Sequence, residues 1–285
     1  MTRHIVLTVL LQLLVISVPV QGADVERTEE IEKVLRFGSA SGDRLVVVDN
    51  LFGSIEVKGY DGKEVRVKIE KIIVARSNEK AAMAEEEITL EVYENDDVIE
   101  LYVDGPFRDK SNREINWRGF RFNGYRVIYN FKLEIPKSCS IDLTTVDEGD
   151  ISVKSIEGDF DVQHVNGRID MKGLRGSGAV YSVNGKLTVE FDNNPRSDCH
   201  FGTVNGDVRL YFQSDLSADF YMRTMNGEAY TDFDVAALPV RTTTSNSRNG
   251  KKVYKVGHMT GVRAGKGGPE IELNTLNGDM FILSR

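Results

Sequence analysis

Thr203-Val204-Asn205-Gly206-Asp207-Val208 is one copy of a short unit that recurs through the second half of the chain. The unit contains Thr, Ser or His, then an apolar residue, Asn-Gly, any residue and usually a second apolar residue. Its Asn-Gly pairs are, in chain order, Asn166-Gly167, Asn184-Gly185, Asn205-Gly206, Asn226-Gly227 and Asn277-Gly278. Repetition of this kind indicates structural units that stack and bury their faces against one another.

The spacing of the glycines gives the length of one unit. Including a degenerate first copy, the glycines stand at 149, 167, 185, 206, 227 and 278, in steps of 18, 18, 21, 21 and 51. We therefore predict a β-solenoid over residues 138–285, with about six coils that rise roughly 4.8 Å each. We expect positive φ in the Asn-Gly turns, because Gly and Asn tolerate it. The last step leaves about 30 residues beyond one coil, which we place in residues 239–268 as an excursion or an extra irregular coil.

Residues 23–137 are predicted to be a β-rich region that precedes the repeats. Apolar and polar residues alternate with a period of two in several segments, including 125–136, and this alternation is typical of half-buried strands. Residues 78–87 form the one segment with a helical pattern, which begins at Asn78 and contains Ala-Ala-Met-Ala. The expected fold class is all-β with one short helix.

The N-terminus has the pattern of an export signal. Arg3 and His4 precede an apolar stretch at 5–18, and Val20-Gln21-Gly22 supplies a small residue at the cleavage position, so residues 1–22 are predicted to be a secretory signal peptide. No later segment is apolar for long enough to span a bilayer as a helix, so we expect no transmembrane span in the mature chain. The expected location is periplasmic, secreted or associated with the cell surface. The net charge of −8 disfavours binding to nucleic acid.

Motifs for catalysis or metal binding are missing from the sequence. There is no His-Glu-x-x-His, Gly-x-Ser-x-Gly, Cys-x-x-Cys or calcium-loop pattern. We therefore expect no enzymatic activity, cofactor or metal site. The alternative is a carbohydrate-active β-helix enzyme that uses carboxylates of the first coils. Those carboxylates are Asp147, Glu148, Asp150, Glu157, Asp159 and Asp161.

The best candidate for a binding surface is the connection at residues 105–126. It combines aromatic and basic side chains, which are favoured at interfaces, in an acidic chain. The candidate contacts are Trp117, Arg118, Phe120, Arg121 and Phe122. A cap over a sheet face or a solenoid end is the other interpretation of this connection. Cys139 and Cys199 are expected to be unbonded, because their repeat positions lie about three coils apart, beyond disulfide reach.

The order of the motifs resembles the bacterial "putative adhesin" family of exported β-strand-repeat proteins, a domain of unknown function. The resemblance starts at residues 48–57, continues through 125–136 and the Asn-Gly repeats, and ends at 267–273. It implies an extracytoplasmic, solenoid-like fold and brings no catalytic residues. The leading hypothesis is a non-catalytic adhesin or envelope-associated binding module whose partner is an envelope polysaccharide or an envelope protein. A periplasmic structural or stress-related scaffold is the main alternative.

Overall fold

The computed structural model describes residues 24–38, 42–109, 111, 113–116, 123–239, 241–244 and 254–285. One helix, α1 (Asn78–Glu87), lies among the strands of this part of the chain. The strands are, in chain order, β1 Val25–Leu35, β2 Leu45–Asp49, β3 Ile55–Tyr60, β4 Val65–Ala75, β5 Thr89–Glu94, β6 Val98–Asp104, β7 Tyr125–Pro136, β8 Ser140–Thr145, β9 Ile151–Lys154, β10 Phe160–Asn166, β11 Ile169–Leu174, β12 Gly178–Asn184, β13 Leu187–Phe191, β14 Cys199–Asn205, β15 Val208–Phe212, β16 Ala218–Arg223, β17 Ala229–Thr231, β18 Val235–Ala237, β19 Arg241–Thr244, β20 Tyr254–Ala264, β21 Glu270–Asn277 and β22 Met280–Ser284.

The strands form two large sheets, so the predicted all-β class is confirmed. Sheet I has ten strands in the order β1-β4-β7-β3-β9-β11-β13-β15-β22-β17. Sheet II has twelve strands, in the order β18-β20-β16-β21-β14-β12-β10-β8-β2-β6-β5, with β19 paired to β20. No helix among the described residues is long and apolar enough to cross a membrane.

The repeated units pair in parallel at the spacing of the sequence repeat. In sheet II, Asn166 of β10 pairs with Asn184 of β12, 18 residues later, and Asn184 pairs with Asn205 of β14, 21 residues later. In sheet I, Ile169 pairs with Leu187 and Leu187 with Val208, again at steps of 18 and 21. Each unit therefore contributes one short strand to each sheet, and successive strands along the chain alternate between the two sheets.

The last repeat does not lie where its place in the sequence would put it. β21 is inserted between β14 and β16, and β22 between β15 and β17. Asn277 thus pairs with Asn205 and forms a bridge to Asn226. The residues between β17 and β21 contain β18, β19 and β20, of which β20 runs antiparallel to β16 and covers that edge of sheet II.

Both sheets continue across the boundary predicted at residues 137/138. β2 pairs in parallel with β8, and β3 pairs in parallel with β9. Antiparallel strands then complete this end, since β4 and β1 extend sheet I and β5 extends sheet II. The helix has the predicted bounds, and its N-cap is Ser77, whose hydroxyl oxygen accepts a hydrogen bond from the Lys80 amide at 3.2 Å.

In most strands alternate residues are buried and together form one core. At the repeats this core is aromatic: Phe191 and Phe212 stack with ring centroids 5.1 Å apart, and Phe220 meets Phe212 edge-on. Cys139 and Cys199 are both buried and both free, as their repeat positions predicted. Cys199 lies in register with Ile271, which in turn lies in register with Phe220.

The repeated glycines are required by close stacking more than by unusual φ. Only Gly206 and Gly278 of the five have positive φ, at 151° and 152°, so the turn geometry predicted for all five is wrong. A Cβ on Gly185 would lie 1.8 Å from the carbonyl oxygen of Gly167, and a Cβ on Gly206 would lie 2.1 Å from that of Gly185. Each turn therefore rests directly on the backbone of its neighbour.

Candidate functional site

The residues that sequence patterns favoured for binding, Trp117, Arg118, Phe120, Arg121 and Phe122, lie outside the described residues. The segment that leads to them is anchored by Arg108. Its guanidinium donates hydrogen bonds of 2.7 and 3.0 Å to the two carboxylate oxygens of Asp49, and its side chain is 4% exposed. The guanidinium also lies against the ring of Tyr102, 4.7 Å from its centroid. Burial raises the pKa of Asp49 although Arg108 opposes the shift.

Two hydrogen-bonded ladders hold the Asn-Gly turns in place. The Asn side chains form the outer ladder, in which each Nδ2 donates to the Oδ1 of its neighbour. Its bonds are Asn184 to Asn166 at 2.9 Å, and Asn205 to Asn184, Asn277 to Asn205 and Asn226 to Asn277, each at 2.7 Å. In the inner ladder the Thr, Ser or His of each unit contacts a backbone carbonyl oxygen of the neighbouring turn. These contacts are Thr145 to Gly53, His164 to Gly149, Ser182 to Gly167, Thr203 to Gly185, Thr275 to Gly206 and Thr224 to Gly278.

The inner ladder explains why His164 is buried at this position of the repeat. The ring is 2% exposed, and its Nε2 lies 2.7 Å from the carbonyl oxygen of Gly149. Its position is the one that Ser182 and Thr203 occupy in the next two units. His164 is therefore a turn residue that hydrogen-bonds in the same way as the hydroxyls of its neighbours.

A stripe of apolar side chains runs beside the outer ladder on the exposed face of sheet II. The residue before each Asn points outward, although outward positions of a strand are usually polar. Val183, Val204, Leu276 and Met225 are 38, 37, 38 and 74% exposed, and Val165 is half-buried. Neighbouring strands are about 4.8 Å apart, so the five side chains, in the spatial order Val165, Val183, Val204, Leu276 and Met225, span about 19 Å.

Tyr181 forms the other side of this surface. Its ring lies over Gly202 of the adjacent strand, where an added Cβ would come 2.9 Å from the ring, and the tyrosine is 43% exposed. Burial raises the pKa of Tyr181, with further contributions from Glu272 and Asp161, so the phenol stays protonated at neutral pH. Tyr181 and three residues of the stripe, Val165, Val183 and Val204, line a groove of about 460 Å³, and Ile115 of the Arg108 segment lies in its wall.

Polar side chains border the groove. Gln163 and Asn274 line it, and each donates its amide to a carboxylate, Gln163 to Asp161 at 3.2 Å and Asn274 to Glu272 at 2.5 Å. The Asn274 Oδ1 is buried and has no hydrogen-bond partner within the described part of the chain. The surface therefore combines an apolar stripe, an aromatic ring and the exposed amide of Gln163, whose oxygen can accept a hydrogen bond. We call it the valine face, comprising Val165, Val183, Val204, Leu276, Met225, Tyr181, Gln163 and Asn274.

The matching outward face of sheet I has a different composition. Its paired outward residues in β9, β11, β13 and β15 are Ser152, Asp170, Thr188 and Arg209. All four are polar, as expected for a strand face in contact with water. In these four units the apolar stripe is thus confined to sheet II, whereas the same row of sheet I continues into Phe281 and Tyr230, whose rings stack with centroids 5.2 Å apart.

The carboxylates considered for catalysis are used within the fold. Asp150 pairs with Arg168 at 2.8 Å and Glu157 with Arg175 at 3.2 Å, in both cases across one repeat of 18 residues. Glu148 forms an ion pair with Arg126, and the carboxylate oxygens of Asp147 and Asp159 accept backbone hydrogen bonds. Among the residues that the structure describes, no group of three or more His, Cys, Asp or Glu is arranged to hold a metal ion.

The valine face is the feature that sequence reasoning missed. The signal was present, because an apolar residue precedes each of the five repeated Asn-Gly pairs. Its meaning depends on orientation: the Thr, Ser or His position points inward, so the apolar residue next to it must point outward.

In the segment at 239–268, which was predicted to be an excursion or an extra irregular coil, Arg263 donates hydrogen bonds to both carboxylate oxygens of Asp219 and is thus part of the fold.

No family model and no curated protein matches the chain. Among solved structures, it is similar to a putative cell adhesion protein from Clostridium sporogenes, with 12% identity and a TM-score of 0.40, over 90% of this chain and 100% of that chain. It is also similar to two proteins of Parabacteroides distasonis. One is a putative adhesin, with 9% identity and a TM-score of 0.27, over 90% and 97% of the two chains. The other is a putative lipid binding protein, with 13% identity and a TM-score of 0.28, over 93% and 98%. At these identities and scores the likeness carries no functional argument.

Proposed function

We propose that the chain is an exported, non-catalytic binding module that holds an envelope polysaccharide on the valine face. The observation that carries the proposal is the exposed apolar stripe beside Tyr181, on one sheet, at the same position of successive repeats. Exposed apolar surface that is contiguous and bordered by polar groups marks interaction sites. In β9, β11, β13 and β15 the outward positions of sheet I are polar, so these repeats carry the apolar residues on one face only.

The geometry favours an extended polymer over a compact ligand. The apolar stripe repeats about every 4.8 Å along the stack over β10, β12, β14 and β21, and continues to Met225 just after β16. A polymer can therefore lie across several equivalent positions and gain a small contribution from each. Tyr181 offers a flat ring on which a sugar can stack, and the side-chain carbonyl of the exposed Gln163 can accept a hydrogen bond from one of its hydroxyls.

The proposal also includes a β-solenoid arrangement of the repeats. It is supported by the parallel register at steps of 18 and 21 in both sheets and by the Asn ladder that joins five units. Such stacking leaves one long, regular face, which suits a polymer. Export rests on the pattern of residues 1–22, which lie outside the described residues.

Two exposed tyrosines allow a matched test of the binding face. Tyr181 on sheet II and Tyr230 on sheet I are 43 and 44% exposed. We expect Tyr181→Ala to weaken binding to purified envelope polysaccharide about tenfold, because loss of a stacking ring costs about 1.5 kcal/mol. Tyr230→Ala should leave the affinity within about twofold of wild type. Equal effects of the two substitutions would contradict the proposal.

A protein partner is the second candidate, because Met225 and Leu276 extend the apolar stripe beyond the groove. Photo-crosslinking from position 204 in intact envelopes distinguishes the two candidates. A product that glycan-degrading enzymes remove supports the proposed polysaccharide. A discrete product that proteases alone remove supports the scaffold. Release of sugars from the polysaccharide by the purified protein would contradict the non-catalytic part of the proposal.

A further inference from the structure

Asn-Gly sequences carry a chemistry of their own, which is spontaneous deamidation. The backbone nitrogen of the glycine attacks Cγ of the asparagine side chain, forms a five-membered succinimide and expels Nδ2 as ammonia. Water then opens the ring and gives aspartate or isoaspartate. The reaction requires the glycine nitrogen to lose its proton and to approach Cγ, so hydrogen bonds that fix that N–H oppose it.

The stack engages the glycine nitrogen in four of the five ladder pairs. In each of these pairs the glycine N–H donates to the backbone carbonyl oxygen of the asparagine in the next unit. The bonds are Gly167 to Asn184 at 3.0 Å, Gly185 to Asn205 at 3.0 Å, Gly206 to Asn277 at 2.9 Å and Gly278 to Asn226 at 3.0 Å. Asn226-Gly227 is the last unit of this row, and within the described part of the chain the Gly227 N–H donates no such bond.

The side-chain amides provide a second contrast. The amides of Asn184, Asn205 and Asn277 each make two bonds in the ladder, one as donor and one as acceptor. The amides of Asn166 and Asn226 stand at the two ends and make one ladder bond each. Asn166 makes its single ladder bond as acceptor through Oδ1 and Asn226 makes its bond as donor through Nδ2, so the amide of Asn226 is no freer than that of Asn166 and the two units differ in the freedom of the glycine nitrogen.

We propose that Asn226-Gly227 is the deamidation site of the ladder and that stacking protects the other four pairs. The product has a consequence for the fold. The Asn226 Nδ2 donates to the Asn277 Oδ1 at 2.7 Å, and a carboxylate at position 226 would place two acceptors against each other. The last unit should then separate from the stack, together with Met225 at the end of the valine face.

The test is peptide mapping of the intact wild-type protein after incubation at mildly alkaline pH. Trypsin should release each ladder pair in its own peptide: 155–168, 176–186, 197–209, 224–241 and 267–285. Each deamidation adds one mass unit, and isoaspartate shifts the retention time of the peptide. The pairs Asn123-Gly124 and Asn249-Gly250 fall in other peptides, so they do not enter the comparison. A sample in denaturant gives the rate of each pair without the stack.

We expect Asn226 to deamidate at least about tenfold faster than each of the other four in the folded protein, because those must first open locally. In denaturant the five rates should converge, since glycine follows each asparagine. Asn166 is the decisive control. If Asn166 reacts as fast as Asn226 in the folded protein, the glycine nitrogen is not the determinant and the proposal fails. The proposal also fails if the ladder pairs react at one rate in both samples.

Discussion

Gly185→Ala tests the stacked backbone directly. The new Cβ would lie 1.8 Å from the Gly167 carbonyl oxygen and 2.7 Å from its carbon, with φ at an ordinary value. Both neighbours are backbone atoms, so the clash is removed only if one unit moves by more than about 1 Å relative to the next. Overpacking of this kind costs about 1–3 kcal/mol, and weakening of the 3.0 Å bond from the Gly185 N–H to Asn205 adds about 1 kcal/mol. We expect a loss of about 3 kcal/mol, or about 6–12 °C in Tm.

Thermal unfolding followed by far-UV circular dichroism measures this loss. Gly202→Ala is the matched control, because its Cβ would meet the exposed ring of Tyr181 at 2.9 Å, and that ring can move. We expect Gly202→Ala to cost less than about 1 kcal/mol. A Tm for Gly185→Ala within 2 °C of wild type would refute the reasoning that the turns stack in direct backbone contact.

Three further predictions follow from the ladders, the carboxylates and the thiols. Asn205→Ala should lower the free energy of unfolding, measured by chemical denaturation, by about 1–2 kcal/mol, and Asn226→Ala by about half as much. The first substitution removes two ladder bonds and the second removes one. Equal losses would argue against a continuous ladder. Burial raises the pKa of Asp142, and the nearby carboxylates of Asp161, Asp49 and Glu100 raise it further. The unfolded chain therefore ionises at a lower pH than the folded protein, and the folded state loses stability as the pH rises from the ordinary pKa through the folded-state pKa. Asp142→Asn should therefore raise Tm at neutral pH and lose this advantage below the ordinary pKa of 3.8, and a constant difference across the pH range would contradict the assignment. Burial raises the pKa of Cys139 to about 11, and both cysteines are fully buried, so a thiol reagent should label them at the rate of unfolding; fast labelling of the native protein would contradict their placement.

The sequence predicted the repeats well because side-chain identity and spacing are local properties. The Asn-Gly spacing gave the register of the parallel strands in both sheets, and the alanine-rich segment gave the helix. The inserted position of β21 was beyond this reasoning. Every ladder unit offers the same Asn to its neighbours, so the sequence does not say which two units a given copy joins.

Two other features depend on information that the local pattern lacks. β1 is a full edge strand, but its outward residues include Glu26, Glu30 and Glu32, and the many charges hide its alternation. Charged edge strands are a common way to prevent unwanted pairing. The valine face was visible as a repeated apolar residue, but its exposure became clear only once the inward direction of the neighbouring Thr, Ser or His was known.

The two faces of the molecule therefore differ in the same repeat. In β9, β11, β13 and β15, sheet I presents polar residues to solvent, whereas sheet II presents an apolar stripe, an aromatic ring and amides. Mutations that leave the stack intact can thus change one face without the other. Val204→Thr and Thr188→Val form such a pair, since the first makes the valine face polar and the second makes sheet I apolar.

The most direct test of the binding face is hydrogen exchange of the purified protein with and without envelope polysaccharide. If the account is correct, the polysaccharide slows exchange in peptides from β10, β12, β14 and β21, and leaves peptides from β11, β13 and β15 unchanged. Slower exchange confined to sheet I, or no change in either sheet under conditions where the polysaccharide binds, would contradict it.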